Sequence, residues 1–120
     1  MTPFDKISSY LTPLNSTRFY EMATDYAIDP SFALATWIWE TGYGSSELWR
    51  LNNNPAGITC GNEYCYYSTQ EQGLHAMFNL MSYYIRELNR NTVASVRELW
   101  SESNDAQQIV EVMEEICQKE

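Results

Sequence analysis

Positive charge is scarce in this 120-residue chain: 7 Lys and Arg stand against 16 Asp and Glu, for a formal net charge of −9. Proteins that track nucleic-acid phosphates or anionic membrane surfaces need clustered basic side chains. The balance therefore argues against both partners and leaves uncharged or mixed-charge polymers. Long hydrophobic runs are missing too. No stretch approaches the ~20 apolar residues that cross a bilayer, so no membrane insertion is expected. The opening MTPFDKISSYLTPL has neither the basic n-region nor the apolar h-region of a signal peptide. Two routes to export remain: membership of a longer exported protein, or another pathway. Glycine (5) and proline (4) are few, and hydrophobic residues at 44% outweigh charged ones at 19%. That composition excludes a disordered or fibrous chain. One globular domain over residues 1–120 is expected, large enough to bury roughly two-thirds of its unfolded surface. The cysteines are three, Cys60, Cys65 and Cys117, and an odd count does not name a compartment.

What is present is mostly helical periodicity. Thr2 and Pro3 predict a short first helix carrying Phe4, Ile7 and Leu11. Asn15 or Ser16 caps a second, with Phe19, Met22, Ala23 and Tyr26 at i, i+3, i+4 and i+7. Asp29 followed by Pro30 is a sharper start signal, an acidic cap with proline at the first helical position. The helix it opens, ending at Gly42, is apolar around most of its circumference, as a helix in the middle of a bundle must be. SSELWR predicts one short helical turn and NNNPAG a loop. ITCGNEYCYY reads as a small hairpin. Helix resumes at Ser68 or Thr69, through S-x-x-E to Glu71 or T-x-x-Q to Gln72, and its apolar stripe runs from Leu74 to Leu88. Two further helices carry Val93, Val96 and Trp100, then Ile109, Val112, Met113, Ile116 and Cys117, the last capped near Asn104. A mainly α bundle with one β excursion follows.

Within PSFALATWIWETGYGSS, Glu40 is the only charged side chain. It sits in the last turn of the apolar helix, where desolvation by the surrounding indoles and the partial negative charge of the helix C-terminus both push its pKa upward. A carboxylic acid kept protonated near neutral pH is what general-acid cleavage of a glycosidic bond requires, because the departing oxygen must receive a proton. The opposing possibility is that Glu40 points into solvent or pairs with Arg50 or another cation.

WETGYGSSELW, then NNNPAGI, then YYSTQEQG resembles the glucosaminidase family of bacterial cell-wall hydrolases (glycoside hydrolase family 73). Its motifs run A-x-x-x-E-[ST]-G-[WY]-G-x-S, N-N-x-[FW]-G-I and Y-x-S-x-E-E, and order and spacing match over roughly residues 30–85. The resemblance implies a lysozyme-like helical bundle with a small β-hairpin lobe beside a cleft. It also implies Glu40 as general acid, and peptidoglycan cleaved at the β-1,4 bond after N-acetylglucosamine. Ala56 departs from the pattern, standing where the family commonly has Phe or Trp.

Mechanism needs a second group, either a carboxylate whose distance sets inversion or retention or the substrate's own N-acetyl group. Glu63, at the hairpin tip, is the leading candidate, in the lobe where the family often places its second acid. Glu71 reads as the far partner of a helix cap and Glu47 as a solvated helix-start residue. Tyr43, Trp49, Tyr64, Tyr66 and Tyr67 supply flat faces for sugar rings, with Tyr64 and Tyr66 on one hairpin face and Tyr67 on the other. Tyr67 matches the tyrosine of the third motif. Asn53 and Asn54 match the N-N pair, either contacting sugar or fixing the loop through side-chain to backbone bonds. Cys60 and Cys65 flank a four-residue loop that brings their Cα atoms roughly 5 Å apart, suited to a disulfide and to an exported protein. A zinc site from Cys60, Cys65, His75 and Cys117 has poor ligand spacing, and no cofactor is expected.

The leading expectation is a peptidoglycan hydrolase acting as an endo-β-N-acetylglucosaminidase outside the cell or in the wall. A lysozyme or lytic transglycosylase would cut the other glycosidic bond; a binding module would hold glycan or a partner without turnover. At −9, intact walls with anionic polymers repel the domain, so an additional anchoring domain or a secretion machine is a plausible companion.

Overall fold

The computed structural model describes residues 16–90, 92–100 and 105–117. Within them lie α1 (Ser16–Asp25), α2 (Pro30–Thr41), α3 (Glu47–Asn52), β1 (Thr59–Cys60), β2 (Glu63–Tyr64), α4 (Gln70–Ser82), α5 (Val93–Trp100) and α6 (Ala106–Cys117). The expected architecture is the one found: a helical, lysozyme-like bundle interrupted by a small antiparallel hairpin. The helix expected from Thr2 and the cap at Asn104 lie outside the described residues.

Helix α2 is the hub. Asp29 Oδ1 accepts from Ser31 N at 2.8 Å and Ser31 Oγ at 2.7 Å, and Pro30 occupies a first-turn position that has no use for an N–H. Every residue from Ser31 to Ile38 is buried, which is why its apolar residues leave no polar face. Each large side chain among them contributes roughly 1.5–3 kcal/mol by leaving water. α6 packs along α2 most extensively, with α1 on another side. From α1, Phe19, Met22 and Ala23 enter the core. Phe19 tilts against Phe78 of α4 at 5.4 Å, and Tyr26, one residue past the helix, stacks on the same ring at 5.4 Å.

Helix α4 starts at Thr69, whose Oγ1 accepts from Gln72 N at 3.1 Å. Gln72 reaches back to Ser68 N at 3.2 Å instead of Thr69 N, so the T-x-x-Q box closes one residue early. Glu71 is not a capping partner as expected: it lies beside Arg18 of α1, whose Nε donates to Glu71 Oε1 at 2.5 Å. The predicted single helix to Leu88 instead changes to a π-helical segment at Tyr83–Glu87. Arg86 in that segment reaches Ser82 Oγ (2.6 Å) and the carbonyl of Tyr26 (2.8 Å), a tertiary demand invisible to periodicity. Asn89, with φ 54°, then takes the left-handed turn that ends it, and Arg90 N donates to Tyr84 O at 3.0 Å.

One glycine fixes how α4 meets the loop. A Cβ on Gly73 would sit 1.8 Å from the backbone oxygen of Asn53, so only glycine lets the NNNPAG loop lie on this helix.

Candidate active site

Glu40 is held at the end of α2 by the chemistry of the next residues. Thr41 is fully buried; its hydroxyl donates to Trp37 O at 2.6 Å and accepts from Gly44 N at 2.9 Å, while its carbonyl accepts from Ser45 N and Ser46 N, each at 2.9 Å. Gly42, Tyr43 and Gly44 all take left-handed conformations, at φ 56°, 59° and 81°. Gly42 is the helix C-cap, a role for which a residue without Cβ is suited. Tyr43 is held there although it has a side chain, by Tyr43 N donating to Ile38 O at 3.1 Å. Ser46 then caps α3 through Trp49 N at 3.2 Å. The run ETGYGSS is thus one hydrogen-bonded reversal that returns the chain beside Glu40.

The side chain of Glu40 is 22% exposed and meets a cation that is almost wholly buried. Arg97 of α5, at 1% exposure, donates from Nη2 to Glu40 Oε1 (2.5 Å) and to Asp105 Oδ2 (2.7 Å), and from Nε to Asp105 Oδ1 (2.8 Å). Trp39 Nε1 adds a further bond to Asp105 Oδ2 at 3.0 Å. Burial works against a charged guanidinium, but the bonds and charges of Asp105 and Glu40 outweigh it and hold Arg97 above the usual arginine range. The Arg97 bond, chiefly, keeps the Asp105 carboxyl below the ordinary carboxylate range in spite of its own desolvation, with Trp39 helping. Among the described residues Glu40 Oε2 carries no hydrogen bond.

The surroundings of Glu40 therefore differ from the indole-lined setting expected. Trp37 lies in the core, edge-on to Trp49 at 5.8 Å; Trp39 turns its nitrogen to Asp105; and the cation comes from α5 instead of Arg50. The sequence contained a signal for Arg97. Val93, Val96, Arg97 and Trp100 stand at i, i+3, i+4 and i+7, so an arginine shares an apolar stripe, and a buried charge requires a partner.

Two of the residues expected to meet sugar are buried. Trp49 is 1% exposed and packs in the core, so it presents no face to a ligand. Asn54, equally buried, spends its amide on the loop: Nδ2 donates to Ile58 O (2.8 Å) and Cys65 O (3.1 Å), while Oδ1 accepts from Ile58 N (3.1 Å) and Ala56 N (3.3 Å). Asn53 does likewise through Tyr67 O at 2.8 Å. The N-N pair builds the turn into the hairpin. Ala56 is buried in that turn.

In the hairpin, Thr59 pairs with Tyr64 and Cys60 with Glu63. A Cys60–Cys65 disulfide closes it, with Cα atoms 4.9 Å apart. Tyr64 and Tyr66 are exposed while Cys65 between them is buried, the alternation a strand imposes. Tyr67 is half-buried, and desolvation raises its phenol pKa; its N–H donates to Asn52 O at 2.9 Å. Glu63 is exposed, and its side chain makes no hydrogen bond or ion pair among the described residues. His75 Nδ1 meets Tyr26 OH at 3.0 Å, and with both hairpin thiols consumed in the disulfide, the four-ligand zinc alternative loses its donors.

A helical bundle with a hairpin insertion and a carboxylate at the end of its central helix is a lysozyme-like arrangement. The profile of the Glucosaminidase family, described as mannosyl-glycoprotein endo-beta-N-acetylglucosaminidase, matches residues 16–116. The chain belongs to that family. No curated protein and no solved structure matches it significantly.

Proposed function

We propose that residues 1–120 form one domain that cleaves peptidoglycan as an endo-β-N-acetylglucosaminidase, with Glu40 as general acid. The observation that supports this reading is the mounting of Glu40. A partly exposed carboxylate closes the buried helix, gripped at Oε1 by a buried guanidinium, with Oε2 making no hydrogen bond among the described residues. A proton carried for donation belongs on Oε2. Asp105 already balances the charge of Arg97, so a protonated Glu40 leaves the three-residue cluster neutral and a deprotonated one leaves it at a single negative charge. As the glycosidic bond lengthens, the leaving oxygen takes that proton and the residual carboxylate falls back onto Arg97.

Glu63 is proposed as the second carboxylate, with the substrate's N-acetyl group as the other means of stabilising the cation-like sugar. Tyr43 flanks Glu40; Tyr64, Tyr66 and Tyr67 are proposed to hold glycan from the hairpin. The disulfide and the family support action outside the cell or in the wall, and no helix among the described residues is long and apolar enough to cross a membrane.

A second reading is favoured by the same ion pair. If Arg97 locks Glu40 as a structural carboxylate, the domain binds glycan without cutting it. Release of soluble sugar from purified walls by the native protein and by Glu40→Gln separates the two. The enzyme reading requires release by the native protein and its loss in the variant with circular dichroism unchanged; activity in the variant ends the assignment. Mass spectrometry of the products, expected to end in reducing N-acetylglucosamine, distinguishes a muramidase or a transglycosylase.

A further inference from the structure

Joined to Glu40 through Arg97 and Asp105 is an aromatic surface built on Trp39, which none of the sequence motifs specifies, and on Tyr43, which one of them does. Trp39 is 45% exposed although it belongs to the central helix. Its ring is nonetheless fixed, because Nε1 is bonded to Asp105 and Asp105 is in turn buried against Arg97. Ile38 and Trp39 come from the end of α2, and Gly42 and Tyr43 from the left-handed turn that follows it. With Val112 of α6 they line an open depression of about 300 Å3.

None of those five side chains carries a formal charge. The depression has room for one pyranose ring, and its main feature is a flat indole whose rotamer is already set. A sugar ring presents apolar C–H faces and a polar edge, the complement of an aromatic wall with solvent at its side. An indole locked before binding gives up little side-chain entropy when a ligand arrives. Asp105 and Arg97 join it to the carboxylate: Trp39 Nε1 and Arg97 Nη2 share Asp105 Oδ2, and Nη2 also holds Glu40 Oε1.

We propose that Trp39, with Tyr43 and Val112, forms a stacking subsite for one N-acetylhexosamine ring of the glycan next to the bond that Glu40 attacks. This subsite rests on the reading of the domain as a glycan-cleaving enzyme. It assigns to Trp39 the role that the sequence assigned to Trp49, and it makes the network around Asp105 a scaffold for both the acid and the platform.

The test uses tri-N-acetylchitotriose with the Glu40→Gln protein, which leaves the oligomer intact, and follows indole N–H signals by 1H–15N NMR, with Trp39 assigned through Trp39→Phe. The Trp39 signal moves and saturates, while those of buried Trp37 and Trp49 stay. Trp39→Ala and Val112→Phe each weaken binding by about ten-fold or more, on the scale where about 1.4 kcal/mol is a factor of ten. Val112→Phe fills the depression from α6 and leaves the Trp39–Asp105 bond in place, so it decides the matter even if Trp39→Ala folds poorly. Backbone amide shifts confined to Tyr64 and Tyr66 in the same 1H–15N spectra, with the Trp39 indole unmoved, or no saturable binding at millimolar oligomer, overturn the subsite. The general-acid reading fails separately, through cell-wall hydrolysis by Glu40→Gln, an outcome that leaves a moving Trp39 signal untouched.

Discussion

Replacing Arg97 by Met removes the cation that Glu40 and Asp105 share while keeping an unbranched side chain. Asp105, at 4% exposure, then keeps a desolvated charge with the Trp39 N–H and a backbone hydrogen bond in compensation, whereas the partly exposed Glu40 can hydrate. Breaking a buried pair by deleting one partner costs about 3–5 kcal/mol. Against a total of about 5–15 kcal/mol for a domain, that is a large fraction. With a urea slope of about 2 kcal/mol/M, the unfolding midpoint should fall by about 2 M. The double variant Arg97→Met/Asp105→Asn removes both buried charges, and swapping a buried pair for neutral groups is often close to neutral. It should therefore regain at least half of the loss. Urea unfolding followed by circular dichroism measures both variants, with Asp105→Asn completing the cycle. A single-variant loss under about 1 kcal/mol, or a double variant equal to the sum of the two singles, refutes the view that the cluster is one coupled unit.

Acid should act through the same cluster. The depressed pKa of Asp105 means that its stabilisation is fully present above its unfolded value, about 3.9, and is lost as pH falls through the lower folded value. The unfolded chain binds more protons in that window, so stability rises with pH there. Urea midpoints at pH 7 and pH 3 should accordingly drop further in the native protein than in Asp105→Asn; equal drops would discount the pairing. Gly73→Ala drives a Cβ to 1.8 Å from Asn53 O, backbone that cannot rotate away. A loss of about 3 kcal/mol, the upper part of the overpacking range, is expected in thermal or urea unfolding, and a neutral effect would mean that the loop lifts freely from α4. Reduction of the Cys60–Cys65 disulfide should remove about 2 kcal/mol on the chain-entropy view, seen as a lower melting temperature with reductant; no change would show that the loop is already ordered by Asn54.

Much of the fold was legible because it is governed locally. Asp29–Pro30, Ser46 and Thr69 are caps whose side chains bond within three residues of themselves, and the Gly42 stop and the Cys60–Cys65 closure depend on a handful of neighbouring atoms. The π-helical segment was not legible, because Arg86 bends to the carbonyl of Tyr26, 60 residues earlier in the chain. The pairing of Glu71 with Arg18, separated by 53 residues, escaped for the same reason. In the NNNPAG loop, residue types showed that Asn54 mattered; only its burial showed that all its capacity is spent on backbone.

For the candidate site, the motif run around Glu40 was enough to indicate the family and the end of the helix at Gly42, since hydrogen bonds inside ETGYGSS make the turn there almost by themselves. Which indole faces solvent was a matter of packing. Trp37, Trp39 and Trp49 are alike in sequence, yet the core buries Trp37 and Trp49 against each other and leaves Trp39 half in water. The electrostatics were decided at the same level: Arg97 reaches Glu40 across 57 residues of chain. Burial and ion pairing are sums over everything that packs around a group, and no window of neighbours contains that sum.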